Sequence, residues 1–156
     1  MIAVLQRAAS AAVRVDGKAV GEIGKGLLIL LGVSVNDTRE DAELLVKKIL
    51  ACRIFCDEND KMILSVRDVR GEVLVVSNFT LLANYAHGNR PDYLQAARPQ
   101  QANELYEYFV SLIRRDGVTA ATGEFGADMR VYLEGDGPVT IVMDSLALKK
   151  KKEKGI

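Results

Sequence analysis

The chain has 156 residues, 49% of them hydrophobic and 27% charged, which is the composition of one globular domain and excludes a disordered or collagen-like chain. Its apolar runs fall short of the roughly 18 residues that a membrane span needs, and its first residues lack the pattern of a secretory signal. We therefore expect a cytoplasmic protein that has no membrane partner.

Charge is distributed unevenly, although basic and acidic side chains balance at 21 each. Residues 149–156 contain five lysines and one glutamate, a formal charge of +4, which leaves residues 1–148 at −4. A slightly acidic body argues against broad electrostatic binding of nucleic acid, so we expect no DNA partner, but recognition of a nucleic-acid end stays open. We predict a domain over 1–148 and a solvated, frayed tail over 149–156, with contact to phosphate as the alternative role of that tail.

The first third of the chain is predicted to be β-structure. Short strands over 3–7 and 11–15 precede Asp16-Gly17, a dipeptide typical of a tight hairpin turn, and a returning strand over 18–23 follows it. The run over 27–33 is apolar on both sides of the chain, which is typical of a central strand covered on both faces.

A helix is predicted next. Asp37 or Thr38 is suited to cap its start, with acidic side chains three residues further on, and turn-like residues after Phe55 mark its end. Its buried stripe would contain Ala42, Leu45, Ile49 and Cys52.

The two cysteines, Cys52 and Cys56, are four residues apart and would share one face of this helix as part of the core. A disulfide requires a better-oriented pair, and a zinc site requires two further ligands, whereas His87 is the single histidine of the chain. We therefore expect neither a metal nor another cofactor. One histidine without a nucleophile motif also gives no sign of a Ser-His-Asp triad.

The middle of the chain is predicted to contain a strand over 72–81, which begins apolar and ends with polar side chains. A polar loop over 83–98 follows. A second helix would begin near Pro99, which suits a first helical position, and end at Gly117. Its buried stripe would contain Ala102, Leu105, Tyr106, Phe109, Leu112 and Ile113.

Two strands over 129–134 and 139–144 would complete the fold. The segment 135–138 between them is predicted to be a tight hairpin turn. The alternative is a fixed Gly137–Pro138 peptide in the cis form, because X-Pro is the one common site of cis bonds. Two helices and many strands predict a layered α/β domain with the helices on one side of a curved, mostly antiparallel sheet.

The segment Ser77-Asn78-Phe79-Thr80-Leu81 is the one best placed for chemistry. It puts two hydroxyls and an amide at the end of a buried strand beside a loop, which is where pockets form. Cross-strand hydrogen bonding and a turn cap are the alternative interpretation. The sequence contains no phosphate-binding motif of the G-x-x-x-x-G-K-[ST] type.

This segment and residues 135–140 resemble the motifs of the D-aminoacyl-tRNA deacylases, also called D-tyrosyl-tRNA deacylases. The family motif Ser-Gln-Phe-Thr-Leu stands at 77–81 with Asn78 in place of Gln. The motif Asn-x-Gly-Pro-Val-Thr stands at 135–140 with Gly135 in place of Asn. The resemblance covers nearly the whole chain to about Leu146 and includes Gln6-Arg7, residues 20–27, Lys61-Met62, residues 88–91 and residues 122–129.

The resemblance implies a homodimeric, single-domain enzyme with a three-layer β/β/α fold. Such enzymes hydrolyse the ester that joins a D-amino acid to the 3′ end of tRNA, and they also clear glycine mischarged on tRNA for alanine. They spare L-aminoacyl-tRNA and so contribute to translation quality control. Their Gly-Pro motif, in cis, reaches across the subunit interface into the partner's pocket, where it forms a stiff wall against L-substrates.

The resemblance also implies roles for single residues. Thr80 and the backbone of Phe79 would orient the ester and polarise its carbonyl, while the terminal ribose 2′-hydroxyl assists the attack of water. Phe79 and Phe125 would stack on the adenosine, and Arg7 would support the Gly-Pro loop as a hydrogen-bond donor. The substrate-binding set is Ser77, Asn78, Gly137, Pro138, Phe125, Met129 and Arg7.

Two other functions remain open at this point. The first is a Thr80-dependent esterase for small activated acyl groups, in which Thr80 is the nucleophile, although the sequence shows no base near it. The second is a catalytically silent module that binds a tRNA end, which the departures at Asn78 and Gly135 leave possible. Hydrolysis of matched D- and L-aminoacyl-tRNA separates these functions from the deacylase.

Overall fold

The computed structural model describes residues 1–155, and these contain one main sheet, a small two-stranded ribbon and three α-helices. None of the helices among these residues is long and apolar enough to cross a bilayer. The elements in chain order are β1 (Ile2–Val15), β2 (Lys18–Ile23), β3 (Gly26–Gly32), α1 (Arg39–Ala51), β4 (Phe55–Cys56), β5 (Met62–Leu64), β6 (Glu72–Ser77), a 3₁₀ helix (Phe79–Leu82), α2 (Pro99–Arg115), β7 (Ala120–Thr122), β8 (Arg130–Asp144) and α3 (Ser145–Glu153).

The main sheet is built around β1. Strands β2, β3 and β8 all pair with β1 antiparallel, while β6 pairs parallel with β3, and β7 parallel with β6. The sheet curves until β2 meets β7. A Cβ atom on Gly21 would lie only 2.1 Å from the carbonyl oxygen of Thr122, so this contact requires glycine.

The curvature of the main sheet and the packing of the helices against it together produce the layers of the fold. One buried cluster lies between the sheet and the helices and includes Ile29, Leu45 and Phe109, each fully buried. A second, smaller cluster lies between the two curved parts of the sheet and includes Val13, Leu28 and Leu74. The predicted single-domain α/β fold, with helices on one side of a curved and mostly antiparallel sheet, is confirmed. The structure has three α-helices where two were predicted.

Two breaks that were predicted between strands are absent from the structure. The strands predicted over 3–7 and 11–15 form the single strand β1, and residues 135–138, predicted as a hairpin turn, lie inside β8. Both strands run on because they pair with each other along almost their whole length, with Ile2 opposite Asp144 and Arg14 opposite Arg130. Shifts of register near Ala8 absorb the irregular segment.

Helix α1 ends earlier than predicted. It begins at its predicted cap, where the Asp41 carboxylate accepts from the Thr38 N–H at 2.8 Å, but it ends at Ala51. Phe55 is buried and pairs with Leu64 in the ribbon of β4 and β5, which draws the chain out of the helix. The prediction that Cys52 and Cys56 share a helical face is therefore wrong, and both are free thiols. Helix α2 has its predicted start at Pro99 and ends just before Gly117.

The C-terminal segment differs from the predicted frayed tail, since Ser145–Glu153 is helical. The Asp144 carboxylate caps α3 by accepting from the Leu146 N–H at 3.0 Å. Lys149 and Lys152 each place Nζ 2.9 Å from a carboxylate of α1, those of Asp41 and Glu40. The division into residues 1–148 and 149–156 stays a prediction.

A buried polar network fastens α3 to α1. Asp41 is fully buried and accepts from the Ser145 hydroxyl at 2.6 Å as well as from Lys149, and Ser145 in turn accepts from the α-ammonium group of Met1 at 2.9 Å. Burial alone would raise the pKa of the Asp41 carboxyl. The hydrogen bonds from Ser145, the Thr38 N–H and Lys149 outweigh burial and lower this pKa from its ordinary value of 3.8 to about 2.

This lowered pKa predicts an acid-sensitive step in stability. A carboxyl whose pKa is lower in the folded state stabilises the fold above its unfolded pKa, and that contribution disappears as the pH falls from about 4 towards 2. The contribution of Asp41 is on the order of 2 kcal/mol. Chemical denaturation from pH 6 to pH 2 should show this loss in the free energy of unfolding of the wild-type protein. Asp41→Asn should be less stable at pH 6, and its free energy of unfolding should fall less steeply as the pH is lowered. An equally steep fall in Asp41→Asn would contradict the assignment.

Candidate active site

Strand β6 ends at Ser77 rather than running on to Leu81 as predicted. The side-chain oxygen of Asn78 accepts hydrogen bonds from the Thr80 N–H at 3.3 Å and from the Thr80 hydroxyl at 2.5 Å. Asparagine side chains compete in this way with ladder hydrogen bonds, and here Asn78 caps the 3₁₀ helix Phe79–Leu82. The strand prediction for 78–81 is wrong, and the predicted alternative, a turn cap, describes Asn78.

A cavity of about 500 Å³ opens where β3 and β6 end. The structure brings together in its wall four of the predicted substrate-binding residues and one predicted catalytic residue, Phe79; the four are Ser77, Asn78, Phe125 and Met129. The remainder of the wall comes from residues to which the sequence assigned no role in a site: Val33, Tyr93, Ala96, Ala97, Pro99, Ala102, Gly126 and Ala127. The many small side chains leave the space open, and the aromatic ones give it flat apolar faces.

Two aromatic contacts shape the cavity. Phe79 is 55% exposed and meets Tyr93 edge to face, with ring centroids 5.0 Å apart. On the other side Phe125 lies 6.1 Å from Tyr106, measured between ring centroids. Tyr106 is fixed by a 2.8 Å hydrogen bond from its hydroxyl to the carbonyl oxygen of Val75, and burial raises its pKa to about 12, so it stays neutral.

The described part of the wall holds no carboxylate, histidine, lysine or arginine, and Tyr93 is its one ionisable side chain. The loop histidine, His87, does not contribute to the wall. Across residues 1–155 no group of three or more His, Cys, Asp or Glu side chains is arranged to hold a metal ion. The wall therefore offers shape, apolar surface and uncharged polar groups.

Thr80 lies beside the cavity and is exposed. Its hydroxyl proton points to the Asn78 side-chain oxygen, which is an amide oxygen and accepts hydrogen bonds without removing a proton. The lone pairs of the Thr80 oxygen remain available to accept a hydrogen bond. This geometry orients the hydroxyl without making it a nucleophile.

Arg7, Gly137 and Pro138 do not contribute to the cavity of their own chain. The Arg7 side chain is 10% exposed and donates from Nε to the Asp136 carbonyl oxygen and from a terminal nitrogen to the Ile54 carbonyl oxygen, both at 2.9 Å. Arg7 therefore holds the segment directly before the Gly137–Pro138 peptide, which is cis. Both residues of this peptide are exposed.

Comparison with known proteins places this architecture in a family. Residues 4–144 match the family model described as D-Tyr-tRNA(Tyr) deacylase. A protein named D-aminoacyl-tRNA deacylase from Thermosipho melanesiensis is 55% identical over 146 residues, which cover 93% of this chain and 97% of that relative. One of the same name from Yersinia enterocolitica is 56% identical over 140 residues, covering 90% and 97%.

Solved structures agree in fold. The structure titled "c-Myc DNA Unwinding Element Binding Protein" superposes with a TM-score of 0.87 at 40% identity, covering 92% of this chain and 98% of that one. A structure described as a probable eukaryotic D-amino acid tRNA deacylase has a TM-score of 0.79 at 19% identity, covering 91% and 97%, and shows likeness of fold alone. The chain belongs to the D-Tyr-tRNA(Tyr) deacylase family, an enzyme family, which confirms the resemblance seen in its motifs.

Proposed function

We propose that this protein hydrolyses the ester bond of D-aminoacyl-tRNA, releases the D-amino acid and the tRNA, and spares L-aminoacyl-tRNA. Family membership and the names of the relatives support the reaction. The observation that carries its location is the uncharged, aromatic cavity lined by the first three residues of the Ser77–Leu81 motif. The reaction would remove wrongly charged tRNA before translation uses it.

The cavity suits the aminoacylated terminal adenosine. A volume of about 500 Å³ lies in the range of small-molecule sites. Exposed, unpaired bases of RNA are commonly bound by stacking on aromatic side chains, and Phe79 and Phe125 offer such faces. In this role Met129 closes the wall, while Ser77 and Asn78 supply hydrogen-bonding groups.

Catalysis is proposed to depend on positioning rather than on a side-chain base. Among the residues that the structure describes, the wall contains no carboxylate or histidine, and the Thr80 hydroxyl is already held by Asn78. The first N–H groups of a helix have no acceptor inside that helix, and Phe79 begins the 3₁₀ helix, so its N–H can polarise the ester carbonyl. The substrate's ribose 2′-hydroxyl would donate a hydrogen bond to the Thr80 oxygen and, held in that position, would assist the attack of water.

Chirality is proposed to be sensed by a second copy of the chain. Strand β8 is a sheet edge, and its residues 130–138 are all exposed, among them the apolar Val131, Tyr132 and Leu133. An exposed apolar edge strand favours pairing with another chain. In such a homodimer Gly137 and Pro138, held by Arg7, would enter the partner's cavity as a wall of main chain.

A wall of this kind acts by excluding a side chain from one side of the substrate Cα atom. It rejects L-amino acids by steric clash rather than by a missing contact. Glycine has no side chain to exclude, so glycine mischarged on tRNA for alanine is proposed as a further substrate. The finer specificity among D-amino acids would depend on the remaining space in the cavity.

The reaction is tested by hydrolysis of one tRNA charged with D-tyrosine or with L-tyrosine. We expect kcat/KM for the D-substrate to exceed that for the L-substrate by at least about 100-fold. The ethyl ester of free D-tyrosine, as a control, should be hydrolysed far more slowly than the charged tRNA, because it lacks the adenosine. Equal rates on both tRNAs, comparable hydrolysis of the free ester, or tRNA binding without hydrolysis would each contradict the proposal.

Mixed dimers test the cross-subunit wall. Gly137→Val should damage the wall, since a Cβ atom there would lie 2.2 Å from the Val139 nitrogen, and Ala127→Trp should fill the cavity. Gly137→Val alone should hydrolyse D- and L-tyrosyl-tRNA without preference, and Ala127→Trp alone should be inactive. Co-expression should restore D-selective hydrolysis at about a quarter of all sites, because half of the dimers are mixed and each of these has one intact cavity facing one intact wall. If the wall served its own chain, mixing would restore nothing.

A further inference from the structure

Helix α3 presents its lysines on two different faces. Lys149 and Lys152 face α1, where each pairs with a carboxylate at 2.9 Å. Lys150, Lys151 and Lys154 are exposed, and no carboxylate within residues 1–155 forms a salt bridge with them. We call these three residues the lysine face.

The spacing of the lysine face follows the helical repeat. Residues three or four apart are neighbours on a helix surface, so Lys154 lies beside both Lys150 and Lys151. The paired lysines, Lys149 and Lys152, lie on the other side and fix the rotation of the helix. Three like charges are therefore held together towards solvent, an arrangement that repels itself unless an anion is bound.

Helix α3, which carries the lysine face, begins at the same edge of the sheet as the cavity. Asp144, where β8 ends, pairs with Ile2 of β1, and Ile2 pairs with Gly32 at the end of β3. The next residue across is Asn78, whose N–H donates to the neighbouring Leu31 carbonyl oxygen at 2.8 Å. Three strand spacings separate Asp144 from Asn78, a distance of about 15 Å, so α3 begins close to the cavity.

We propose that the lysine face binds backbone phosphates of the tRNA end whose terminal adenosine occupies the cavity. The proposal rests on the proposed function, because an adenosine bound in the cavity would place the nucleotides that precede it in the tRNA near α3. Lysine ammonium groups bind phosphate as point charges. The remaining body, residues 1–148, carries a formal charge of −4 and repels a polyanion. A local basic face would offset this repulsion where the tRNA end binds.

The competing explanation is purely intramolecular. Lysines in the last turn of a helix interact favourably with the helix dipole, and Lys150, Lys151 and Lys152 occupy that turn. In that case the lysine face would stabilise α3 without affecting tRNA. Salt dependence separates the two explanations, because each phosphate contact releases counterions.

The experiment measures Kd for uncharged tRNA between 50 and 300 mM KCl, about the range where such contacts dominate. The test variant is Lys150→Gln/Lys151→Gln/Lys154→Gln. The charge-matched control is Lys18→Gln/Lys25→Gln/Lys47→Gln, three exposed lysines that form no salt bridge within residues 1–155. We expect the slope of log Kd against log salt to fall by about 0.7 for each lost contact, or by about 2 in the test variant, and to stay unchanged in the control.

Three results would overturn the proposal: an unchanged slope in the test variant, an equal loss in the control, or tighter binding of the lysine face to duplex DNA or anionic phospholipid vesicles than to tRNA. Hydrolysis of D-tyrosyl-adenosine, which has no phosphate, should be the same in the test variant and the wild type. If the wild-type protein fails to hydrolyse any aminoacyl substrate, the proposed function fails, and the slope for uncharged tRNA still decides the role of the lysine face.

Discussion

Two hydrogen bonds to the side-chain oxygen of Asn78 determine where the central parallel strand stops. If β6 continued to Leu81, successive side chains would alternate between the faces of the sheet and Phe79 would lie within the strand. Because Asn78 turns the chain, Phe79 reaches Tyr93 instead, and the cavity forms between this contact and α2. The same bonds occupy the hydroxyl proton of Thr80. One capping residue, Asn78, thus creates the cavity and also keeps the Thr80 hydroxyl from acting as a nucleophile.

An uncharged site is consistent with the chemistry proposed for it. An ester between an amino acid and a ribose is already activated, so placement against an N–H donor and a nearby hydroxyl can supply much of the acceleration. A carboxylate or histidine in the wall would add a general base, and such a base would also act on L-substrates that entered the site. In this account selectivity comes from the main-chain wall at Gly137 and Pro138, which excludes L-substrates, and reactivity comes from the substrate.

Local signals in the sequence predicted the elements that local chemistry determines. The Asp16-Gly17 turn, the Thr38 cap with Asp41, and the start of α2 at Pro99 all stand where their residue types indicate. The elements that depend on distant partners were missed. Strand β8 runs unbroken because β1 pairs with it from more than 100 residues away, and α3 forms where Lys149 reaches Asp41, 108 residues earlier. No local pattern carries that information.

The candidate site divides in the same way. Its motif residues, Ser77, Asn78 and Phe79, were identified from the resemblance and do meet at the cavity. Small and apolar residues such as Val33 and Ala97 could not be identified, since alanine and valine have no chemistry that marks a site. Gly137 and Pro138 lie outside the cavity of their own chain, so their proposed role concerns an assembly of two chains.

Catalysis by main chain and substrate is tested most directly by removing the substrate's own hydroxyl. A D-aminoacyl-tRNA that ends in 2′-deoxyadenosine, with the amino acid on the 3′ oxygen, is compared with the natural substrate in the wild type, in Thr80→Ala and in a control, Thr119→Ala. We expect the 2′-deoxy substrate to lower kcat at least about 100-fold, whereas Thr80→Ala stays within about tenfold of the wild type. A full rate on the 2′-deoxy substrate, together with a loss of about 1,000-fold or more in Thr80→Ala, would contradict the account and assign the chemistry to the Thr80 hydroxyl.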